Sequence, residues 1–222
     1  MQRILEPELM DDMEQVVAYD QADFSQSHGQ RVVLFKERYT QPVSGYVLDL
    51  GCGSGDVLER FANALPQASF VAVDGGPNML ELARRRVAKS SSVAERIRFV
   101  HALLPSSDIP KPDYQVIMSH SMLHHLHQPS VLWDAIKQAA GVDSFVFIGD
   151  LRRPQSEAHA AALVQRLSGD EPNVLQQDFY NSLCAAFTAD EVRLQLREAG
   201  LGHLRVEEVG ETHLLVYGRL NR

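Results

Sequence analysis

Apolar positions along this chain of 222 residues recur in two rhythms that alternate. The runs Tyr46–Leu50, Phe70–Asp74, Ile97–His101, Tyr114–Ser119 and Ser144–Asp150 have the length and β-branched content of buried strands. Between them the spacing turns helical. Val57–Leu65 sets Val57, Leu58, Phe61 and Leu65 on one face, Pro77–Lys89 opens with proline in its first turn, and Ser130–Ala140 repeats the pattern. Such alternation predicts an α/β fold: a doubly wound, mostly parallel sheet with helices on both faces. After Asp150 it stops, and residues 154–187 read as a helical insertion broken at Gly169-Asp170 and Pro172. A helix at Ala189–Ala199, a Gly200 stop and two short runs, Leu204–Val209 and Thr212–Tyr217, then predict a closing antiparallel hairpin.

Ahead of the first strand the pattern predicts two more helices, an acidic Glu8–Tyr19 and Val32–Tyr39. Leu9, Met13, Val16, Val17 and Tyr19 recur at helical spacing, and Phe24 follows. A face like this needs something to cover. Residues 1–44 are therefore expected to form a helical lid or cap over a domain spanning 45–222, with Tyr19 and Phe24 beside a substrate. Permanent packing on the core, or a homodimer contact, is the alternative use of the same face.

Composition fits one globular domain, at 45% hydrophobic and 23% charged residues. A chain of this size buries roughly 70% of its unfolded surface, so it needs no metal or disulfide to fold. The formal charge of −8 works against a phosphate-backbone partner. Glu6, Glu8, Asp11, Asp12 and Glu14 crowd a start where a secretory signal needs basic and then apolar residues. No apolar run is long enough to span a bilayer. Cys52 and Cys184 are far apart, which makes a reducing, cytoplasmic compartment the expectation.

The densest chemical signal is Val47-Leu48-Asp49-Leu50-Gly51-Cys52-Gly53-Ser54-Gly55-Asp56, a strand that enters three alternating glycines and then a helix. Glycine lets backbone approach a ligand closely, and the helix start offers free N–H groups and partial positive charge. The next strand ends at Asp74, about twenty residues on, where a carboxylate can accept from both hydroxyls of a ribose.

Together these residues resemble the class I S-adenosylmethionine-dependent methyltransferases of the small-molecule type. Asp49-Leu50-Gly51-Cys52-Gly53-Ser54-Gly55 matches that family's first motif, Val73-Asp74-Gly75-Gly76-Pro77-Asn78-Met79-Leu80 its second-strand motif, and Val116 to Leu126, with Leu123-His124-His125-Leu126, its fourth-strand region. The resemblance covers roughly residues 45 to 150. It implies a seven-stranded sheet and S-adenosyl-L-methionine as cofactor, with S-adenosyl-L-homocysteine as product. It implies that Asp49, Gly51, Cys52 and Gly53 hold the methionine part, Asp74 and Gly75 the ribose, Met79 an adenine face, and Ser119 the methionine pocket. This sequence departs from the family after the third strand, where no acid occurs until Asp108; backbone or apolar contacts at Ala102 and Leu103, or Asp108 reaching back, then have to hold adenine.

Methyl transfer needs no nucleophilic side chain, but a hydroxyl or protonated amine acceptor benefits from a base near neutral pKa. His120 and His124 leave the fourth strand at the ligand edge and are the catalytic candidates. A stripe of His120, His124 and His127 at i, i+4 and i+7 is the competing metal reading; it lacks a carboxylate, and no metal is expected. Arg152, with Arg153 beside it, follows the fifth strand as a candidate for an anionic acceptor, and Tyr180, within Asp178-Phe179-Tyr180-Asn181-Ser182, as a roof for the pocket. The expected function is methyl transfer to the O, N or S atom of a small molecule, with no nucleic acid or membrane partner. A non-catalytic cofactor-binding regulatory subunit is the alternative. A nicotinamide-dependent oxidoreductase ranks below it, because the glycine spacing is wrong and no Tyr-x-x-x-Lys pair occurs.

Overall fold

The seven apolar runs become seven strands of one sheet, in the order β3-β2-β1-β4-β5-β7-β6. They are β1 (Tyr46–Leu50), β2 (Ser69–Asp74), β3 (Ile97–His101), β4 (Tyr114–His120), β5 (Ala140–Leu151), β6 (Arg205–Val209) and β7 (His213–Arg219). A computed structural model describes residues 1–22 and 24–220. β1 to β5 pair in parallel, and β7 runs antiparallel to both β5 and β6. The expected mixed α/β sheet and its closing hairpin are therefore present. The chain leaves β1 toward β2 and returns on its other side as β4, so a crevice opens where the direction of winding reverses.

Strand parity sorts the core into two layers. Leu48, Leu50, Ile117, Val146 and Ile148 face Trp133 and Ile136 of α6 (Ser130–Ala139) and Val192 and Leu196 of α9 (Ala189–Glu198). Val47, Phe70, Met118 and Phe147 face Phe35 of α2 (Ser25–Arg38), Phe61 of α3 (Asp56–Ala64) and Leu80 of α4 (Pro77–Val87). Phe35 sits with its ring centre 5.3 Å from both Phe61 and Phe147, which docks α2 on the sheet.

The N-terminal helices differ from expectation. α1 spans Met13–Gln21, because the Asp12 carboxylate accepts from the backbone N–H of Glu14 and Gln15 and starts the helix there. Residues 1–12 instead form an irregular strap. α2 begins at Ser25, well before Val32, over a polar stretch without apolar rhythm; His28 bonded to Asp56 at 2.6 Å and a buried Arg31 hold its first turns. β5 also starts earlier than predicted, where Ala140 pairs with Tyr114 before a register shift, with Asp143 at φ 63. The segment after β5 forms α7 (Glu157–Ser168) and α8 (Asn173–Ala185), packed through Leu151, Leu163 and Leu183. A four-residue α5, Ser91–Ala94, gave no sequence signal.

The strap crosses the carboxyl edge of the sheet. Ile4 N–H donates to the Cys184 carbonyl at one end, and at the other Asp11 accepts from the Asn78 N–H in the first turn of α4 at 2.9 Å. Gly55, at φ 78, precedes α3, and a Cβ there would lie 2.9 Å from that of Ala83 in α4. Gly55→Ala combines left-handed strain with a clash and is expected to cost about 1–3 kcal/mol. Calorimetry should show the thermal midpoint fall by several degrees; an unchanged midpoint would mean that the loop yields freely.

Candidate active site

Gly51, Gly53 and Gly55 all adopt positive φ, at 75°, 53° and 78°, so the loop after β1 coils through three left-handed positions. The N–H groups of Gly51 and Cys52 donate to the Val73 carbonyl at 2.8 and 3.0 Å. Asp74 completes the lock: one carboxylate oxygen accepts from Gly53 N–H and the other from Gly76 N–H, both at 2.8 Å. Nothing lies within 4 Å of the position a Gly53 Cβ would take, which leaves open space above the loop. Burial pushes Asp74 above the usual carboxylate range, against the pull of those N–H donors.

The loop floors a cavity of about 1110 Å³ whose other walls come from the strap, α1, α2, the segment after β4 and α8. Asp49, Gly51, Cys52, Gly53, Asp74, Gly75, Met79, Ala102 and Leu103 all line it, as do Tyr19 and Phe24, whose rings stand 4.7 Å apart. Asp49 is buried at the base, and burial together with the Asp74 charge pushes it up to about 8. Arg31 is the complementary finding. Its guanidinium is 5% exposed and lines the cavity, and among the described residues no carboxylate or carbonyl accepts a hydrogen bond from it. A buried cation and a buried carboxylate, each lacking a counter-charge in direct contact, suit a ligand that carries both signs, as an amino acid moiety does.

Four sequence candidates sit elsewhere. Ser119 is fully buried and donates to the Leu50 carbonyl at 2.6 Å, so its hydroxyl is spent between β4 and β1. Arg152 turns to Glu208 at 2.8 Å and to carbonyls of the β6–β7 turn. Tyr180 packs against the α7–α8 cluster, while its neighbour Phe179 reaches the cavity. Asp108 is exposed and does not reach back to it.

The histidines separate into distinct environments. His120 lines the cavity from one side, but its ring lies between Phe61 and Phe147, at 5.5 and 5.7 Å, and neither nitrogen has a hydrogen-bond partner. Burial, then Arg31 and His28, hold it well below the usual histidine range, so it is a weak base. His124 has the opposite setting. Its Nδ1 is 2.6 Å from the Asp150 carboxylate and its Nε2 is 3.6 Å from Glu6, with side-chain exposures of 3%, 1% and 9%. Burial opposes its charge, yet Asp150 and Glu6 outweigh burial and raise its pKa above 6.5. The helical stripe of His120, His124 and His127 does not form, since β4 runs to His120 and turns follow; His127 bonds to the Glu6 carbonyl instead.

Arg31, Asp150, Glu6 and His213 all stand at or beside the cavity and were not singled out by the sequence. Asp150 had a usable signal, an acid at the carboxyl end of a central strand. Glu6 was one acid among many in an acidic start.

Residues 47–142 match the family model described as a methyltransferase domain. The mitochondrial ubiquinone biosynthesis O-methyltransferase of Schizosaccharomyces pombe is 30% identical over 83 residues, 37% of this chain and 29% of that protein. A malonyl-[acyl-carrier protein] O-methyltransferase of Bacillus cytotoxicus is 28% identical over 148 residues, 65% of this chain and 50% of that one. The chain thus spans between about a third and a half of the length of these curated relatives. Among solved structures, a SAM-dependent methyltransferase from Aquifex aeolicus superposes with TM-score 0.66 at 20% identity, covering 91% of this chain and 96% of that one. The plantazolicin methyltransferase BpumL, in complex with a pentazolic desmethylPZN analog and SAH, superposes with TM-score 0.71 at 16% identity, covering 95% and 92%. At those identities the structures establish the fold. Residues 47–142 are thus identified as a methyltransferase domain, set in a sheet that has the fold of these solved methyltransferases.

Proposed function

We propose that this chain transfers a methyl group from S-adenosylmethionine to a nucleophilic O, N or S atom of a small molecule held in the cavity. The observation that carries the reading is one cavity joining a nucleoside cradle, Gly53 with Asp74, to a buried histidine–carboxylate pair, His124 with Asp150. When bound, the cofactor supplies an electrophilic methyl group whose transfer leaves a neutral thioether and releases one proton from a protonated acceptor.

The residues fit that cofactor. The Asp74 carboxylate keeps lone-pair capacity beyond its backbone donors and can accept from the ribose hydroxyls. Met79 and Leu103 provide apolar faces for adenine, with Ala102 backbone beside them. Asp49 offers its carboxylate to the positive charges of the methionine part, and Arg31 takes the α-carboxylate, a role Ser119 and Arg152 cannot fill from where they lie. The three-glycine loop is intact, which speaks against a purely regulatory subunit.

On the acceptor side, Tyr19, Phe24 and Phe179 form the walls, and the strap with α1 is the lid of the expected 1–44 cap. His124 takes the acceptor's proton. Its Nδ1–H is directed at Asp150, which leaves Nε2 as the basic atom. Free, buried thiols at Cys52 and Cys184 support a reducing, cytoplasmic setting. Among the described residues no helix is long and apolar enough to cross a membrane.

Two outcomes test this reading. Calorimetry should show Asp74→Ala and Arg31→Ala each weakening S-adenosylhomocysteine binding by about 2 kcal/mol or more, since each removes a charged partner. Unchanged affinity in both would move the nucleoside out of this crevice. For chemistry, methyl transfer from labelled cofactor to a panel of phenols, carboxylic acids and amines should fall about a hundredfold in His124→Ala. It should fall far less in His120→Phe, which keeps an aromatic ring in an aromatic site. Equal losses in the two would overturn the distinction between them.

A further inference from the structure

Of the strap's ionisable side chains, Glu6 is the one whose charged end faces the His124 ring. Glu6 is fixed on one oxygen by the Ser182 hydroxyl of α8 at 3.2 Å. Its other oxygen, Oε1, is buried without a hydrogen-bond partner, 3.6 Å from Nε2 of His124 and 3.3 Å from Nδ1 of His125. A carboxylate oxygen left unbonded in the interior is costly unless a charge or a ligand proton satisfies it. The strap is firmly seated around this point. Arg3 donates to the carbonyls of His124 and Leu126 at 2.7 and 3.0 Å and stacks over Phe187 at 3.9 Å, while the Pro7 carbonyl bonds to His125.

Building on the proposed methyl transfer, we propose that Glu6 is a positioning residue of the acceptor site, completing with Asp150 a two-carboxylate clamp that orients His124 and strengthens it as the proton acceptor. Asp150 holds Nδ1 from β5, and Glu6 faces Nε2 from the strap, so the ring is aligned along the line between two acids from distant parts of the chain. In the neutral ring Nε2 carries the lone pair that receives the acceptor's proton. The resulting imidazolium, with N–H groups at both ends, lies between two carboxylates. The gap of 3.6 Å is too long for a direct hydrogen bond, so Glu6 acts on Nε2 through its charge, while the His124 ring itself lines the cavity. Because Glu6 arrives on the strap, closing the site and completing the clamp are the same event.

Several other ionisable groups surround the ring. Arg3 from the strap opposes its positive charge, His125 lies beside it with ring centres 4.3 Å apart, His213 on β7 lines the cavity, and Asp178 on α8 lies near Glu6. His125 and His213 are both held down to about 3 and stay neutral through the working range, which leaves the two carboxylates as the main partners of the charged ring.

The test is the titration of the His124 ring by NMR in protein saturated with S-adenosylhomocysteine, which needs no acceptor. The wild-type midpoint should lie above 6.5. Glu6→Gln keeps the shape and removes the charge, and should lower that midpoint by at least about half a pH unit, a roughly threefold loss of proton affinity. Glu6→Asp should recover part of the shift, and Ser182→Ala, which leaves the Glu6 charge in place, should move it less than Glu6→Gln does. The acidic limb of the methyl-transfer rate should follow the NMR midpoint down in Glu6→Gln. A midpoint that stays put in Glu6→Gln, with the thermal midpoint near wild type, would overturn the proposal. So would a stoichiometric transition-metal ion in the purified wild type that Glu6→Gln loses, since Glu6, His124 and His125 would then be ligands of a metal centre. Failure of S-adenosylhomocysteine to bind would count against the methyltransferase reading itself, and calorimetry separates that result from a failure of the clamp.

Discussion

The cradle depends on the carboxylate of Asp74. By accepting one N–H from Gly53 and another from Gly76, it joins the loop after β1 to the turn after β2 and sets the shape of the crevice between them. The glycines permit that shape through their positive φ, and Asp74 selects it. The arrangement carries a cost, since Asp49 is buried close enough to Asp74 for that charge to raise its proton affinity further. A cationic ligand over Asp49 relieves that repulsion, so the site's electrostatics favour the kind of molecule its shape admits. Arg31, a buried cation on the facing helix, supplies the opposite preference for the same ligand's anionic end.

A second buried arrangement lies around His124, and it links elements far apart in sequence. His124 follows β4, Asp150 ends β5 and Glu6 belongs to the strap, so the imidazole draws together the sheet edge and the segment that covers it. Arg3 and Asp11 hold that segment on either side, against the β4 loop and against the first turn of α4. The strap over the cavity and the second carboxylate beside His124 therefore come from the same dozen residues.

The sheet was legible because strands and helices announce themselves in local periodicity, and the glycine loop because its spacing encodes a backbone shape. Side-chain direction was less accessible. Ser119 and His120 are adjacent on β4, and strand parity sends one hydroxyl to the Leu50 carbonyl and the other side chain to the cavity wall. Phe179 and Tyr180 differ by one step on α8, and the helix phase, which local sequence does not reveal, turns Phe179 rather than Tyr180 to the cavity. Arg152 was placed correctly after β5, yet the β6–β7 turn claims it through Glu208. Arg31 and Glu6 were illegible for a deeper reason. A buried charge has no local pattern, because its meaning comes from a partner brought near by the fold, or from a ligand.

The measurement that tests the account most directly is calorimetric titration of the full chain with S-adenosylmethionine, S-adenosylhomocysteine, NAD and NADP in parallel. A crevice built as described should bind one equivalent of each sulfur nucleoside and neither dinucleotide, because the buried Asp49 and Arg31 suit an amino acid moiety that the dinucleotides lack. Binding of a dinucleotide at comparable affinity, or no binding of either sulfur nucleoside by a fully folded sample, would contradict it.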